Sequence, residues 1–351
     1  MSSPRRIISP KGGHDGFEAL IEGDLAGMVI NNILSGDKRA IAGVLNLLEE
    51  RGPSCFERNK ELIGILGHHA RTGRHVVGIT GPPGSGKSTL MSRLIIEYRA
   101  RGKTVGVIAV DPSSRRSGGA LLGDRARITH DSSDKGLFIR SMAAGSHLGG
   151  LAWKTRNCLT VFEAVYDVII LETVGVGQSE TEVEQVADTV AFVAQPGSGD
   201  LLQFIKAGIM EIPHVIVVNK AEQKALAARA RSDLMIAKAY SQSSLDGWEL
   251  KIVMTSAMEG WGQQELVDLL EGHQRFLVEK GLMEELRHRN RIEWISMLFK
   301  ERLGDYGLEV LGGEEAVRRL IAASDTTNPL DSLERLEKRV LPDKDHHGIM
   351  T

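Results

Sequence analysis

Seven short apolar segments constrain the fold of this chain more than any other feature. Each is rich in Val and Ile and is followed by a stretch long enough for a helix or a connecting loop. The segments are 75–80, 104–110, 137–141, 167–172, 189–195, 214–219 and 251–256. Apolar strands that alternate with helices are typical of a parallel sheet covered on both faces. We therefore expect an α/β fold with ligand-binding loops at the carboxyl ends of these strands.

The first of these strands leads into the sequence GITGPPGSGKST, which fits the phosphate-binding pattern GxxxxGK[ST]. Its glycines let the backbone wrap around a phosphate, and the helix that follows supplies N–H donors and a positive dipole. Lys87 is expected to reach the β- and γ-phosphates, and Ser88 to bind Mg²⁺. The predicted phosphate-binding residues are Gly81, Pro82, Pro83, Gly84, Ser85, Gly86, Lys87, Ser88 and Thr89.

Acidic residues at or after the ends of two predicted strands form a candidate magnesium site. Asp111 ends one strand, Glu172 ends another, and Asp124 lies in the nearby segment GDRAR. Carboxylates at strand tips beside a phosphate loop are well placed to hold Mg²⁺ or its waters, although Asp124 alone could equally cap a helix. Gly175 is the residue whose N–H could sense a γ-phosphate. The predicted metal ligands are Ser88, Asp111, Asp124 and Glu172.

These groups predict nucleotide hydrolysis by attack of water on the γ-phosphate. Lys87 and Mg²⁺ would neutralise charge during an in-line displacement, and Glu172 would act through the metal. The residue that orients the water stays open among Asp111, Asp124 and Gln178.

The segment VVNKAE, residues 217–222, resembles the guanine-reading pattern Asn-Lys-x-Asp, with Glu222 at the place of the Asp. A carboxylate there accepts two N–H bonds from guanine, whereas adenine offers no matching pair of donors. Lys220 can lie along the base, and Asn219 can tie this loop to the phosphate loop. A second base loop, where a backbone N–H would meet the base carbonyl, is predicted at Ser256, Ala257 and Met258.

Composition limits the other roles that this chain could have. A formal net charge of -3 over 351 residues gives no overall basic field for nucleic acid or an anionic membrane. No apolar run approaches the roughly 20 residues that span a bilayer. The two cysteines, Cys55 and Cys158, stand far apart, which fits a reducing cytosol, so we expect a cytoplasmic protein.

The motifs together resemble the GTPase chaperones of adenosylcobalamin-dependent acyl-CoA mutases, whose best-known members serve methylmalonyl-CoA mutase. The segments that carry the resemblance are GITGPPGSGKST, VDPSSRRSGGALLGDRAR, IRSMAAGSHLGGLAWKT, LETVGVGQSE, QPGSGDLLQFIKAGI and NKAE. Members of this family have also been described as transport-system arginine kinases. The family's usual NKAD is NKAE here, which predicts a looser guanine preference.

The resemblance implies a SIMIBI-class P-loop G domain that binds GTP or GDP with Mg²⁺. It also implies a homodimer held partly by C-terminal helices, and slow GTP hydrolysis that a partner mutase accelerates. The implied roles are gating of cobalamin loading and protection or reactivation of the mutase. The segment 196–210 resembles the family's additional switch. The client could be methylmalonyl-, isobutyryl- or 2-hydroxyisobutyryl-CoA mutase.

Helical periodicity outside the sheet completes the predicted organisation. We expect helices over 17–34, 38–50, 54–70, 263–280 and 282–303, with Asp37 capping the second. The expected regions are a flexible arm (1–16), an N-terminal helical region (17–72), a G domain (73–262), a C-terminal helical dimerisation region (263–324) and a disordered tail (325–351).

Three other readings stay open. A nickel-delivery GTPase of the same fold class would need a histidine-rich metal site, and the adjacent pairs are His68-His69 and His346-His347. A protein or small-molecule kinase would need a site for its acceptor, and the chain shows no obvious insert for one. The third reading is an adaptor that depends on nucleotide binding but not on turnover.

Overall fold

A seven-stranded parallel sheet forms the centre of the computed structural model of this chain, in the order β3-β2-β4-β1-β5-β6-β9. Its strands are β1 (His75–Thr80), β2 (Val105–Asp111), β3 (Leu137–Ala143), β4 (Val168–Glu172), β5 (Thr189–Ala194), β6 (Val215–Val218) and β9 (Lys251–Met254). A short antiparallel pair, β7 (Ser244–Leu245) and β8 (Trp248–Glu249), precedes β9. The residues described are 24–50, 53–111, 128, 131, 133–143, 153–173, 183–197, 212–240, 244–245, 247–324, 326 and 328–341. All seven predicted strands are confirmed.

Helices cover both faces of this sheet. They are α1 (Asp24–Leu34), α2 (Lys38–Glu49), α3 (Pro53–His68), α4 (Lys87–Ala100), α5 (Trp153–Val165), α6 (Lys224–Tyr240), α7 (Gln263–Glu279), α8 (Leu282–Leu311), α9 (Glu314–Ala322) and α10 (Pro329–Val340). Successive side chains of a strand point to opposite faces, so Val76 packs in the core with α2, α3 and α5, while Val77 packs with α4 and α7. Burial on both faces explains why the strands are continuously apolar.

The N-terminal helices follow the predicted pattern. Asp37 caps α2, because its carboxylate accepts a hydrogen bond from Ala40 N at 2.7 Å. The buried face of α2 includes Ile41, Val44 and Leu48. The predicted arm at 1–16 lies outside the described residues.

The C-terminal region differs from prediction in two ways. Helix α8 continues past 303 to Leu311, with a break in its backbone at Gly304 (φ 61°, ψ -159°). The prediction of a disordered tail from 325 is wrong for residues 329–340, which form α10. Asn328 caps this helix, and Pro329 occupies its first turn, where a missing N–H costs nothing. Leu330, Leu333, Leu336 and Val340 are buried in the core that contains α8.

A salt bridge and a side-chain hydrogen bond also attach α10 to the N-terminal helix α3. Lys60 Nζ lies 2.7 Å from Glu334 Oε2, and Asn328 Nδ2 donates to Lys60 O at 2.9 Å. In the described part of the chain, no helix is long and apolar enough to cross a bilayer.

Candidate functional site

The parallel sheet brings the sequence motifs to one edge. The loops after β1, β4, β5, β6 and β9 all leave from carboxyl ends, where parallel sheets bind their ligands. These loops begin at Gly81, Thr173, Gln195, Asn219 and Thr255.

Glycines let the phosphate loop fit between neighbouring loops. Gly81, Gly84 and Gly86 all have positive φ, at 138°, 80° and 89°. A Cβ added at Gly81 would lie 2.2 Å from Val193 O, and one at Gly86 would lie 2.5 Å from Asn219 Nδ2. Larger residues at Gly81 or Gly86 would therefore clash with these neighbours.

Helix α4 starts at Lys87, directly after this loop, and Gly86 provides no side-chain cap for it. The first N–H groups of the helix therefore face the loop as donors for an anion. The Lys87 ammonium is buried and donates to the carbonyl oxygens of Gly81 at 2.7 Å and Pro82 at 3.1 Å. Its positive charge thus lies within the phosphate loop.

Two predicted magnesium ligands meet beside the phosphate loop. Ser88 Oγ donates to Glu172 Oε1 at 3.3 Å, and the Glu172 side chain is buried at the end of β4. The next residue, Thr173, is bonded through its hydroxyl to Thr80 Oγ1 at 3.1 Å, which joins the ends of β4 and β1. Hydroxyl and carboxylate oxygens are the ligands that Mg²⁺ prefers, so this donor pair fits that ion.

The other residues that are predicted to act at Mg²⁺ or the γ-phosphate lie partly or wholly outside the described residues. The backbone of Asp111 ends β2, the strand that pairs with β4 through Ala109 and Glu172, but its side chain is not described. Asp124, Gly175, Gln178 and the switch-like residues 198–210 also lie outside that part. Their roles stay predictions.

Asn219 connects its loop with the phosphate loop, as the sequence predicts, and also with the second predicted base loop. Its Nδ2 donates to Ser85 O at 2.9 Å. Its Oδ1 accepts from Thr255 Oγ1 at 3.1 Å and from Ala257 N at 3.2 Å. Because Asn219 is buried, these three bonds are formed away from water and hold the loops in one arrangement.

Lys220 has φ 60°, a backbone conformation that residues with a side chain rarely adopt. Its Nζ donates to Gln195 Oε1 at 3.1 Å. A Cβ added at Gly86 would lie 3.8 Å from Lys220 Cε, so the lysine stem runs beside the phosphate loop. Its role beside the base stays a prediction.

Glu222 lies in the turn between Asn219 and α6, and one of its carboxylate oxygens is buried. Among the described residues this oxygen, Oε2, has no hydrogen-bond partner. A buried acceptor without a partner is costly, so the turn fits a ligand that brings a donor, as the N–H edge of guanine does.

The second base loop is a tight turn. Gly260 N donates to Ser256 O, and Ser256 and Trp261 bond to each other through their backbones. Ser256 and Ala257 are buried, whereas Met258 is 80% exposed. The Met258 side chain therefore lies at the surface, and only its backbone is held in the loop.

Two residues of the site were missed by the sequence prediction, Arg93 and Gln195. The guanidinium of Arg93 donates to the carbonyl oxygens of Ala257 and Met258, and Gln195 binds Lys220. An arginine inside a helix carries no sequence signal for such contacts, since its partners are main-chain atoms 164 residues away.

The histidine-rich metal site of the nickel reading has no counterpart in the residues described. They contain no cluster of three or more His, Cys, Asp or Glu side chains that could hold a metal. His68 and His69 are exposed at the end of α3, and His346-His347 lies outside the described part.

Comparison with known proteins agrees with the site. The family described as methylmalonyl-CoA mutase-associated GTPase MeaB matches residues 41–309. A protein of Pyrococcus horikoshii named as a GTPase is 44% identical over 268 residues, which is 76% of this chain and 82% of that protein. The mitochondrial methylmalonic aciduria type A homolog of Caenorhabditis elegans is 32% identical over 280 residues, covering 76% and 70%.

A crystal structure described as LAO/AO transport system kinase is also similar. Its TM-score is 0.67 at 26% sequence identity, over 91% of this chain and 98% of that one. The family match spans well over half of the sequence, and the fold is that of a P-loop GTPase. The chain is therefore a GTPase and belongs to the methylmalonyl-CoA mutase-associated GTPase family.

Proposed function

We propose that this GTPase uses the described edge of the sheet as its GTP site. The observation that carries the proposal is Asn219, which bonds Ser85 in the phosphate loop and Ala257 in the second base loop. Gly81 to Thr89 hold the phosphates, and Asn219 to Glu222 with Ser256 to Met258 hold guanine. The buried oxygen of Glu222 selects guanine over adenine, because only guanine offers a pair of donors at N1 and the 2-amino group.

In the reaction, water attacks the γ-phosphorus and a new P–O bond forms while the bond to the β–γ bridging oxygen breaks. GDP leaves with that oxygen, and the protons of the water end on the released phosphate. Lys87 moves its ammonium from the Gly81 and Pro82 carbonyls to the phosphate oxygens, where it offsets negative charge. Ser88 and Glu172 would hold Mg²⁺, with Asp111 and Asp124 as further ligands. When bound, that ion supplies charge neutralisation at the β- and γ-phosphates.

The client that we propose is an adenosylcobalamin-dependent acyl-CoA mutase. Support comes from the family description, which names methylmalonyl-CoA mutase, and from the nematode relative named for methylmalonic aciduria. In this role GTP binding and hydrolysis gate the loading of adenosylcobalamin and protect or reactivate the mutase. The active form is a homodimer, with the C-terminal helices in the contact. Methylmalonyl-, isobutyryl- and 2-hydroxyisobutyryl-CoA mutases are the candidate clients.

Complex formation tests the client proposal. The purified chain is mixed with each of the three mutases and run on a sizing column with GDP or with a non-hydrolysable GTP analogue. The expected result is a complex with one mutase whose stability depends on the nucleotide. A parallel assay follows transfer of adenosylcobalamin to that mutase with and without GTP. If no mutase co-elutes in either nucleotide state, the client proposal is wrong, whereas the GTP site is untouched by that result.

A further inference from the structure

The side chain of Arg93 joins the helix of the phosphate loop to the second base loop. Its Nε donates to Ala257 O at 2.9 Å, and its Nη2 donates to Met258 O at 3.2 Å. The guanidinium also packs beside Gly260, where an added Cβ would lie 3.7 Å from Arg93 Cζ. One charged group thus holds two successive carbonyls of the turn, and bonds from a charged donor are stronger than neutral ones.

This contact fixes the direction of the peptide between Ala257 and Met258. In a trans peptide the C=O and the N–H lie in one plane and point in opposite directions. Because Arg93 holds Ala257 O on the α4 side, the Met258 N–H is directed away from α4. Within the described residues the Met258 N–H has no acceptor, whereas the Ala257 N–H donates to Asn219 Oδ1.

Arg93 lies on helix α4, which starts directly after the phosphate loop. Helix α4 starts at Lys87, and Arg93 lies six residues further along it, about 9 Å at 1.5 Å per residue. The neighbouring residues Met91, Leu94 and Ile95 are buried in the core of the sheet. The position of the second base loop is therefore tied to the position of the phosphates through one helix.

We propose that Arg93 is a positioning residue for guanine: it orients the 257–258 peptide so that the Met258 N–H meets the 6-oxo group of the base. This proposal rests on the proposed function, in which residues 256–258 form a base loop. Glu222 reads the opposite part of the base edge, at N1 and the 2-amino group. The two recognition elements can therefore be separated by changing one group of the base at a time.

The test measures dissociation constants of three nucleotides for the full-length chain. GDP carries both groups, IDP lacks the 2-amino group, and 6-thio-GDP replaces the 6-oxo oxygen with sulfur, a weak acceptor. Arg93→Ala should weaken GDP binding by about tenfold and should abolish the preference for GDP over 6-thio-GDP, because a hydrogen bond to the 6-oxo group is lost. Its preference for GDP over IDP should remain that of the unmodified chain.

Three further variants complete the test. Arg93→Lys keeps one charged donor and should restore part of the 6-oxo preference, while Arg229→Ala, which removes an exposed arginine on α6, should bind all three nucleotides normally. Glu222→Ala should lose the preference for GDP over IDP. If Arg93→Ala keeps its preference for GDP over 6-thio-GDP, or binds all three ligands more weakly by the same factor, the role of Arg93 is overturned. If Glu222→Ala also discriminates normally, the proposed base site itself is wrong.

Discussion

Asn219 Nδ2 donates to the carbonyl oxygen of Ser85 across 134 positions of sequence, at 2.9 Å and out of contact with water. This bond connects the loop that we assign to the base with the loop that we assign to phosphate. It makes the two halves of the nucleotide site one unit. The same side chain also orders the second base loop through its oxygen, so a single amide sets the relative positions of three loops.

The first prediction concerns this amide. Asn219→Asp keeps the shape of the side chain but replaces the donor to Ser85 O with an acceptor, so two oxygens face each other. We expect GDP affinity to fall by about 10- to 100-fold, because a buried hydrogen bond is broken and both groups stay desolvated. Isothermal titration of GDP measures the effect.

The matched control is Thr255→Val, which removes only the hydroxyl that binds Asn219 Oδ1. It should cost less affinity than Asn219→Asp, since the link to the phosphate loop remains. An Asn219→Asp variant that binds GDP as well as the unmodified chain would show that this link does not order the site.

A second prediction separates two glycines of the phosphate loop. Gly86→Ala should abolish nucleotide binding, because its Cβ would lie 2.5 Å from Asn219 Nδ2 at a φ of 89°. Gly84→Ala has a similar φ of 80°, but its Cβ meets nothing closer than Gln195 Oε1 at 3.8 Å. Gly84→Ala should therefore cost only the backbone strain, about 1–2 kcal/mol. GDP binding and thermal unfolding of both variants check this order, and equal losses would contradict the clash with Asn219.

The third prediction concerns the ion pair that attaches α8 to the amino edge of the sheet. Arg287 donates to both oxygens of the buried Asp188, at 2.9 and 2.8 Å, and Asp188 also accepts from Val76 N. Burial alone would raise the pKa of Asp188, but the hydrogen bonds and charge of Arg287 hold it below its usual value. Arg287→Ala leaves this carboxylate buried without its cation, so we expect a loss of about 3–5 kcal/mol in the free energy of unfolding.

Arg289→Ala serves as the control for Arg287→Ala, because Arg289 is exposed on the same helix. Urea unfolding of both variants measures the difference. Similar stabilities for the two would mean that the Asp188–Arg287 pair contributes little to the attachment of α8.

A fourth prediction follows from three histidines at the amino edge of the sheet, of which His75 and His273 are buried and His214 is partly buried. His75 Nε2 and His273 Nδ1 both lie within hydrogen-bonding distance of Thr189 Oγ1, at 2.7 and 2.8 Å. The ring centroids of His214 and His273 are 3.9 Å apart, with their planes tilted by 33°. Burial lowers the pKa of His75 and of His214 to about 4, and it also lowers the pKa of His273. The folded protein therefore keeps these rings neutral.

The unfolded chain takes up protons at these histidines as the pH falls below 6.5, whereas the folded protein does not until near pH 4. Stability is thus fully present above 6.5 and is lost as the pH falls towards 4, by about 1.4 kcal/mol per pH unit for each neutral histidine. Urea unfolding at pH 7.5, 6.5 and 5.5 measures this slope. His214→Asn, which keeps an acceptor for Val190 N, should flatten it, and the exposed His68→Asn should not. A slope that is unchanged in His214→Asn would contradict the assignment.

Much of this fold could be predicted because its strands are buried on both faces. Val76 and Val77 pack into opposite cores, so the strand is apolar at every position and stands out in the sequence. Parallel sheets bind their ligands at the carboxyl ends of their strands, which predicts that Lys87, Glu172 and Asn219 lie close together. The hydrogen bonds of Ser88 with Glu172 and of Asn219 with Ser85 agree with this prediction.

Long-range contacts explain what the sequence prediction missed. Helix α10 has helical spacing of Leu330, Leu333 and Leu336, but it begins at Pro329 in a polar stretch. Its stability comes from packing on α8 and from the salt bridge of Glu334 with Lys60, 274 residues away. Arg93 was missed for the same reason, because its partners are backbone carbonyls on a distant loop.

The most direct measurement of the central claim is GTP turnover by the purified chain, alone and with each candidate mutase, with ATP in parallel. The account predicts slow turnover of GTP, little of ATP, and acceleration of GTP turnover by one mutase. Lys87→Ala should remove turnover in every mixture, because the ammonium that offsets charge at the γ-phosphate is gone. Equal use of ATP and GTP would contradict the proposed guanine site. A GTP rate that no mutase changes would contradict the proposed client.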